Sequence, residues 1–152
     1  MNIESKTGLE LSISRTIAAS PAKVYEAWTQ HLPEWWGPHG TVVPTHEMEL
    51  RPGGKLRAIM EFQGQKYDHT GIFLDVSAEQ IVFTDAFGPD WQPNPNKFMV
   101  SIYELEEVEE GTKLTAKALH WSEADVKKHE EMGFFNGWGQ MLERLDTVAT
   151  AL

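Results

Sequence analysis

Gly133-Phe134-Phe135-Asn136-Gly137-Trp138-Gly139-Gln140-Met141-Leu142-Glu143-Arg144-Leu145 is the stretch on which the reading of the fold turns. Phe135, Trp138, Leu142, Leu145, Ala149 and Leu152 follow the alternating spacing of three and four that marks one apolar helix face. Upstream, Ser122-Glu123-Ala124-Asp125 has the form of a capped helix start, with an acid at the third helical position. Together these signals predict one long C-terminal helix from Ser122 to near Leu152, roughly 45 Å in length. Gly133, Gly137 and Gly139 fall inside it, and each interior glycine costs about 1 kcal/mol relative to alanine. That cost implies either a close approach by another element or space beside the helix. Phe134, Phe135 and Trp138 place large rings next to those missing side chains.

The partner of such a helix must be sought in the rest of the chain. Leu9 to Ile17 alternates apolar and polar residues as a half-buried strand does, with Arg15 intruding on the apolar face. Ser20 then serves as N-cap and Pro21 as the first residue of a short helix carrying Val24, Ala27 and Trp28. Pro33 begins a second helical turn through Trp35 and Trp36, stopped by Gly37-Pro38. From Thr41 to Leu119 the pattern is strand and turn. The predicted strands are Thr41 to Glu49, Leu56 to Phe62, Lys66 to Val76, Gln80 to Asp85, Phe98 to Glu106 and Thr112 to Leu119. Pro44 suggests an edge or a bulge in the first of these, and Gln63-Gly64-Gln65 a hairpin turn. Short turns between successive strands imply an antiparallel meander. The expected architecture is α+β in a single domain over 1–152. A curved antiparallel sheet of six to seven strands surrounds a long C-terminal helix, with two short helices after the first strand.

Composition narrows the function classes. The 152 residues suffice for one domain with a proper core. No cysteine is present, so disulfides, thiolate metal sites and cysteine nucleophiles are excluded. The net charge of -10 disfavours a phosphate backbone as partner, so no nucleic acid is expected. Glu104, Glu106, Glu107, Glu109 and Glu110 are expected to form a solvated hairpin tip, with docking of a basic partner as the alternative. No apolar run reaches the ~20 residues of a membrane helix, and the N-terminus lacks a signal-peptide pattern. No membrane insertion and a cytoplasmic location are therefore expected.

Four motifs recur in order: Ile17-Ala18-Ala19-Ser20-Pro21-Ala22-Lys23-Val24-Tyr25-Glu26-Ala27-Trp28-Thr29, Trp35-Trp36-Gly37-Pro38, Leu50-Arg51-Pro52-Gly53-Gly54 and Gly133-Phe134-Phe135-Asn136-Gly137-Trp138. In these the chain resembles the START/birch-pollen-allergen (SRPBCC) superfamily, and within it the branch homologous to the activator of the heat-shock protein 90 ATPase. The resemblance implies a helix-grip fold over an apolar pocket. Its members include lipid carriers, hormone receptors, polyketide cyclases and many bacterial proteins without a known role. The co-chaperones of that branch carry an additional N-terminal domain. The first strand here begins by about Leu9, so that domain is expected to be absent.

The chemistry-bearing residues give few convergent signals. None of His31, His39, His46, His69, His120 and His129 forms a His-x-x-x-His pair, and no metal site is expected. His46 and His69 lie on separate predicted strands, near Glu47, Asp68 or Glu61. Either could serve a pocket as acid or base, although surface or core positions are the expectation for all six. Arg15 and Arg57 are expected in structural ion pairs with acids such as Glu47 or Glu49, with a ligand anchor as the alternative. Trp35-Trp36 is expected to pack the short helices onto the sheet end. No phosphate loop, dinucleotide turn or nucleophile elbow is present, and no cofactor is expected. The leading expectation is a non-catalytic protein that binds a small apolar or aromatic molecule between sheet and helix. The candidate lining from the first helices and the sheet is Trp28, Trp36, Met60, Phe62, His69, Phe73, Phe83 and Phe98. Phe134, Phe135 and Trp138 complete it from the C-terminal helix. The alternatives are a polyketide-cyclase-like enzyme and an interaction module of the chaperone-activator kind.

Overall fold

A computed structural model describes residues 1–152. Ten strands are formed: β1 (Asn2–Thr7), β2 (Glu10–Ile17), β3 (Val42–Met48), β4 (Lys55–Phe62), β5 (Gln65–Val76), β6 (Gln80–Thr84), β7 (Phe87–Gly88), β8 (Gln92–Pro93), β9 (Met99–Val108) and β10 (Gly111–His120). Four helices accompany them: α1 (Pro21–Gln30), α2 (Leu32–Trp35), α3 (Glu123–Glu131) and α4 (Phe134–Thr150). The main sheet has eight strands in the order β1-β2-β10-β9-β6-β5-β4-β3, all neighbours antiparallel. β7 and β8 form a separate small hairpin in the proline-rich loop. α4 lies across the sheet's concave face, and α1 and α2 pack beside it.

The helix-grip architecture matches the expectation, with three corrections. The main sheet has eight strands instead of six or seven, because β1 precedes the strand that the sequence shows first. β1 is an edge strand whose residues are exposed apart from Asn2, and Ile3 itself is 63% exposed. A strand wet on both faces carries no apolar alternation, so periodicity does not reveal it. Leu9, the expected first residue of the half-buried strand, sits in the β1–β2 turn and is exposed.

The third correction concerns the decisive stretch. The C-terminal helix is not continuous: α3 ends at Glu131, and Gly133 takes a left-handed φ of +93° before α4 starts. That region favours glycine because a Cβ would clash with the following carbonyl. Gly133 is therefore a break, and α4's 17 residues span about 26 Å. α3 keeps its Ser122 cap, whose hydroxyl accepts from Asp125 N at 3.1 Å.

Elsewhere the strand ends move by one or two residues. Ser20 caps α1 as expected, accepting from Lys23 N at 3.3 Å, with Pro21 in the first turn. β3 is a sheet edge with a register shift between Val42 and Thr45, as Pro44 suggested. Gln63-Gly64 forms the β4–β5 turn with both residues at positive φ, the two-residue hairpin type that matches strand twist. At the acidic β9–β10 hairpin, Glu106, Glu107, Glu109 and Glu110 are exposed, and Glu104 pairs with Lys117 at 2.7 Å.

Candidate functional site

Antiparallel register fixes which side chains share the concave face. His46, Ala58 and His69 lie in one row across β3, β4 and β5. Phe73, Phe83, Ser101, Ala118 and Leu11 form another across β5, β6, β9, β10 and β2. Tyr103 lies opposite Ile81 and Ala116. Small residues at Ala58, Gly71, Ser101, Ala116 and Ala118 leave room above the strands, and tryptophan rings from the helices enter it.

Trp28 of α1 fills the centre. It is fully buried against Trp35, Tyr103, Phe73 and Phe83 at ring distances of 5.3, 5.4, 6.1 and 6.2 Å. Trp36, just past α2, reaches Phe83 at 6.0 Å and the His69 ring at 5.8 Å. Trp138 of α4 stacks on Tyr103 at 6.0 Å and packs on Phe134 at 4.6 Å. Burial pushes the Tyr103 phenol far up, so it stays neutral. Two buried polar atoms on this packing, Trp28 Nε1 and Ser101 Oγ, have no hydrogen-bond partner.

The β3–β5 end of the face is left open. His46, Tyr67 and His69 are exposed there, and Met60 and Phe62 are half-buried. On α4, a Cβ placed on Gly137 would meet no atom within 4 Å. Gly137 lies two turns along the same stripe of α4 as Arg144. The Arg144 guanidinium donates to the carbonyls of Trp36, Gly37 and Pro38 at 2.9, 2.9 and 3.1 Å. The open flank of α4 thus faces the loop that carries Trp36. The exposed inner side of β3–β5 beside the Trp36 loop is the candidate trough, and Trp36 and Phe83 are its aromatic wall.

The His69 ring is open to solvent, yet desolvation lowers its pKa against the opposing fields of Asp68 and Asp85.

Of the candidate lining residues, Trp28, Trp36, His69, Phe73 and Phe83 form one chain of ring contacts. Trp28, Phe73 and Phe134 are fully enclosed core residues. Trp138 and Phe134 join through Tyr103, which the sequence reading did not single out although Ser101, Tyr103 and Leu105 alternate in β9. Phe135 packs edge-on against Phe134. Phe98 packs against His120 at 5.6 Å and His129 at 5.0 Å, and reaches Phe134 and Trp138 only through His129.

Those two histidines form a buried dyad that sequence spacing did not reveal. His120 Nδ1 lies 2.9 Å from the Leu9 carbonyl, and its Nε2 lies 2.8 Å from His129 Nδ1. The carbonyl can only accept, so His120 Nδ1 carries a proton and its Nε2 accepts from His129. Burial, reinforced by His120, lowers the His129 pKa to about 4.

The arginines form ion pairs as expected, but with other partners. Arg15 binds Asp146 of α4 at 2.6 Å, and Arg57 binds Asp68 at 3.0 Å; neither uses Glu47 or Glu49. Two open clefts lie outside the trough. One of about 780 Å³ runs beside Arg15, Arg144 and Asp146, and one of about 450 Å³ lies over Asp75, Glu79 and Glu104. Each has a single apolar lining residue. No group of three or more metal-ligating side chains is present, and no helix is long and apolar enough to cross a membrane.

The model of one protein family, described as activator of Hsp90 ATPase homolog 1-like protein, matches residues 18–150. Among solved structures, the chain is similar to protein NE0264 from Nitrosomonas europaea, with a TM-score of 0.91, 29% identity and 97% of each chain covered. Protein Ms6760 from Mycobacterium smegmatis superposes with a TM-score of 0.82 at 23% identity, over 99% of this chain and 97% of that one. An AHSA1-like protein from Aeromonas hydrophila does so with a TM-score of 0.69 at 16% identity, over 93% and 92%. The latter two likenesses show the fold alone. No curated protein matches the chain.

Proposed function

The chain belongs to the activator of Hsp90 ATPase homolog 1-like family, and from this membership and the open trough we propose that it binds a small hydrophobic or aromatic molecule between the sheet and α4. The observation that carries the reading is the unfilled β3–β5 end of the concave face. There residues on the inner side of the sheet stay exposed, and on α4 Gly137 leaves open space where a Cβ would stand. A protein of this size normally covers such a face, since each buried apolar side chain contributes about 1.5–3 kcal/mol. Aromatic walls with few polar groups suit a rigid apolar ligand.

Six tryptophans provide the readout, and Trp36 stands at the trough itself. Titration of fatty acids, sterols and polycyclic aromatic compounds should give a saturable change in intrinsic fluorescence for at least one class. Gly137→Leu should abolish that change while the fold persists. If no class saturates and backbone NMR shifts stay silent, the reading fails.

The cyclase-like alternative requires a base oriented by an acid within the trough. Asp68, the carboxylate next to His69 in sequence, is instead taken by Arg57 on the convex face. Contact with a chaperone is a second reading, favoured by family membership. Acceleration of a chaperone ATPase at micromolar protein would support it, and no change in rate would count against it.

A further inference from the structure

We propose that the trough takes a neutral ring compound bearing a hydroxyl or carbonyl oxygen, and that His69 is the side chain that pairs with that oxygen. The inference rests on the binding reading above and specifies its ligand.

Strand parity sorts the charges of β3, β4 and β5 cleanly. Glu47, Lys55, Arg57, Glu61, Lys66 and Asp68 all lie on the convex side. There they pair with one another, Glu47 with Lys55 at 2.6 Å, Asp68 with Arg57 at 3.0 Å and Glu61 with Lys66 at 3.9 Å. On the concave side the same strands present Leu56, Ala58, Met60, Phe62, Tyr67 and the imidazoles of His46 and His69. The charges that the bordering helix and loop add, Arg144 and Glu143, line the open cleft beside Arg15 and Asp146. Arg144 is directed to three loop carbonyls, and Glu143 lies 3.3 Å from His39 Nε2. A carboxylate or ammonium ligand would lose its hydration without gaining a counter-ion, which disfavours it.

The two imidazoles are also unoccupied within the chain. The histidines that bond to other residues are His31, His39, His120 and His129; His46 and His69 do not. They flank Ala58 at roughly 10 Å, two interstrand spacings. His46 stands on the edge strand with no ring neighbour. His69 lies one strand further in and touches Trp36, whose indole also reaches Phe83. A flat ring along the Trp36–Phe83 wall would bring its substituent to His69. A neutral imidazole offers one donor and one acceptor, and desolvation keeps His69 neutral near pH 7. That pairing fits a hydroxyl, which can accept or donate, and a carbonyl, which accepts.

Three probes test this on the intact protein: naphthalene, 2-naphthol and 2-naphthoate, followed by the Trp36 indole N–H signal in NMR titrations. The expected order of affinity is naphthol above naphthalene above naphthoate, with naphthol favoured about fivefold by one hydrogen bond. His69→Phe should bring naphthol down to the affinity of naphthalene and leave naphthalene unchanged, and His69→Gln should restore the preference. If naphthol keeps its advantage in His69→Phe, or naphthoate binds tightest in the wild type, the assignment of His69 is overturned while the binding reading stands. If none of the three binds, the binding reading falls and this inference with it.

Discussion

Gly133, Gly137 and Gly139 look alike in the sequence, but their surroundings differ. Gly133 is at a left-handed φ and separates two helices, Gly137 faces space, and Gly139 is pressed against the sheet. A Cβ on Gly139 would stand 3.0 Å from Asn2 Nδ2 and 3.3 Å from Ile13 Cδ1. Helix propensity signals a cost at all three positions but not which of these causes applies; for Gly139 the cause lies in Asn2 and Ile13, more than a hundred positions away. Opposite mutational outcomes follow. Gly137→Ala adds a side chain without a clash in a regular helix, so it should stabilise by about 1 kcal/mol. Gly139→Leu forces methylenes into the contact with β1 and β2, and should destabilise by about 1–3 kcal/mol. Urea midpoints of the two variants should move in opposite directions; a shift of the same sign in both would refute the distinction.

α4 is held at both flanks by charged side chains. Arg15 of β2 reaches Asp146 on one side, and Arg144 reaches the α2 loop on the other. The single Arg144 guanidinium satisfies the Trp36 and Gly37 carbonyls, left free where the chain turns from α2 towards β3, and adds a donor to the Pro38 carbonyl, which also accepts from Thr41 N and Oγ1. Arg144→Leu should therefore cost about 2 kcal/mol by stranding charged-donor hydrogen bonds. It should also loosen Trp36, visible as a red shift of tryptophan emission in the folded protein. A variant with wild-type melting temperature and emission would show that the loop is held by packing alone. Elements of this kind were partly legible beforehand. Local signals placed α1, its Ser20 cap, the β4–β5 turn and the bulged edge strand correctly, because cap and turn chemistry act within a few residues. Arg15 stood out as a charge on an apolar face, but Asp146 lies 131 residues away, so its partner was not readable. The aromatic walls were legible as residue types, whereas their grouping around Tyr103 and Trp138 required the register of the sheet.

At the scale of the whole molecule, the buried His120–His129 dyad couples folding to pH. The dyad ties the end of β10 to α3 and packs on Phe98, Phe134 and Trp138. Its local sequence gave no hint, since a spacing of nine residues across a strand end and a helix matches no single periodicity. In the native state His129 titrates near 4, held down first by burial and then by its partner. In the unfolded chain it titrates near an ordinary ~6.5. Below that ordinary value the unfolded state binds more protons than the folded one, so stability falls as pH falls. The loss begins near pH 6.5, proceeds at up to about 1.4 kcal/mol per pH unit, and ends near pH 4, when native His129 also protonates. The total is on the order of 3 kcal/mol. His69, Asp68 and Glu47, also shifted downwards, lose stability in the same direction. A variant must therefore isolate the dyad. His129→Asn retains a donor for His120 Nε2 and removes the titration. Urea midpoints measured from pH 7.5 to 4.5 should fall less steeply for His129→Asn than for the wild type, with the difference confined below pH 6.5. Parallel curves would mean that the dyad does not govern the acid limit of this fold.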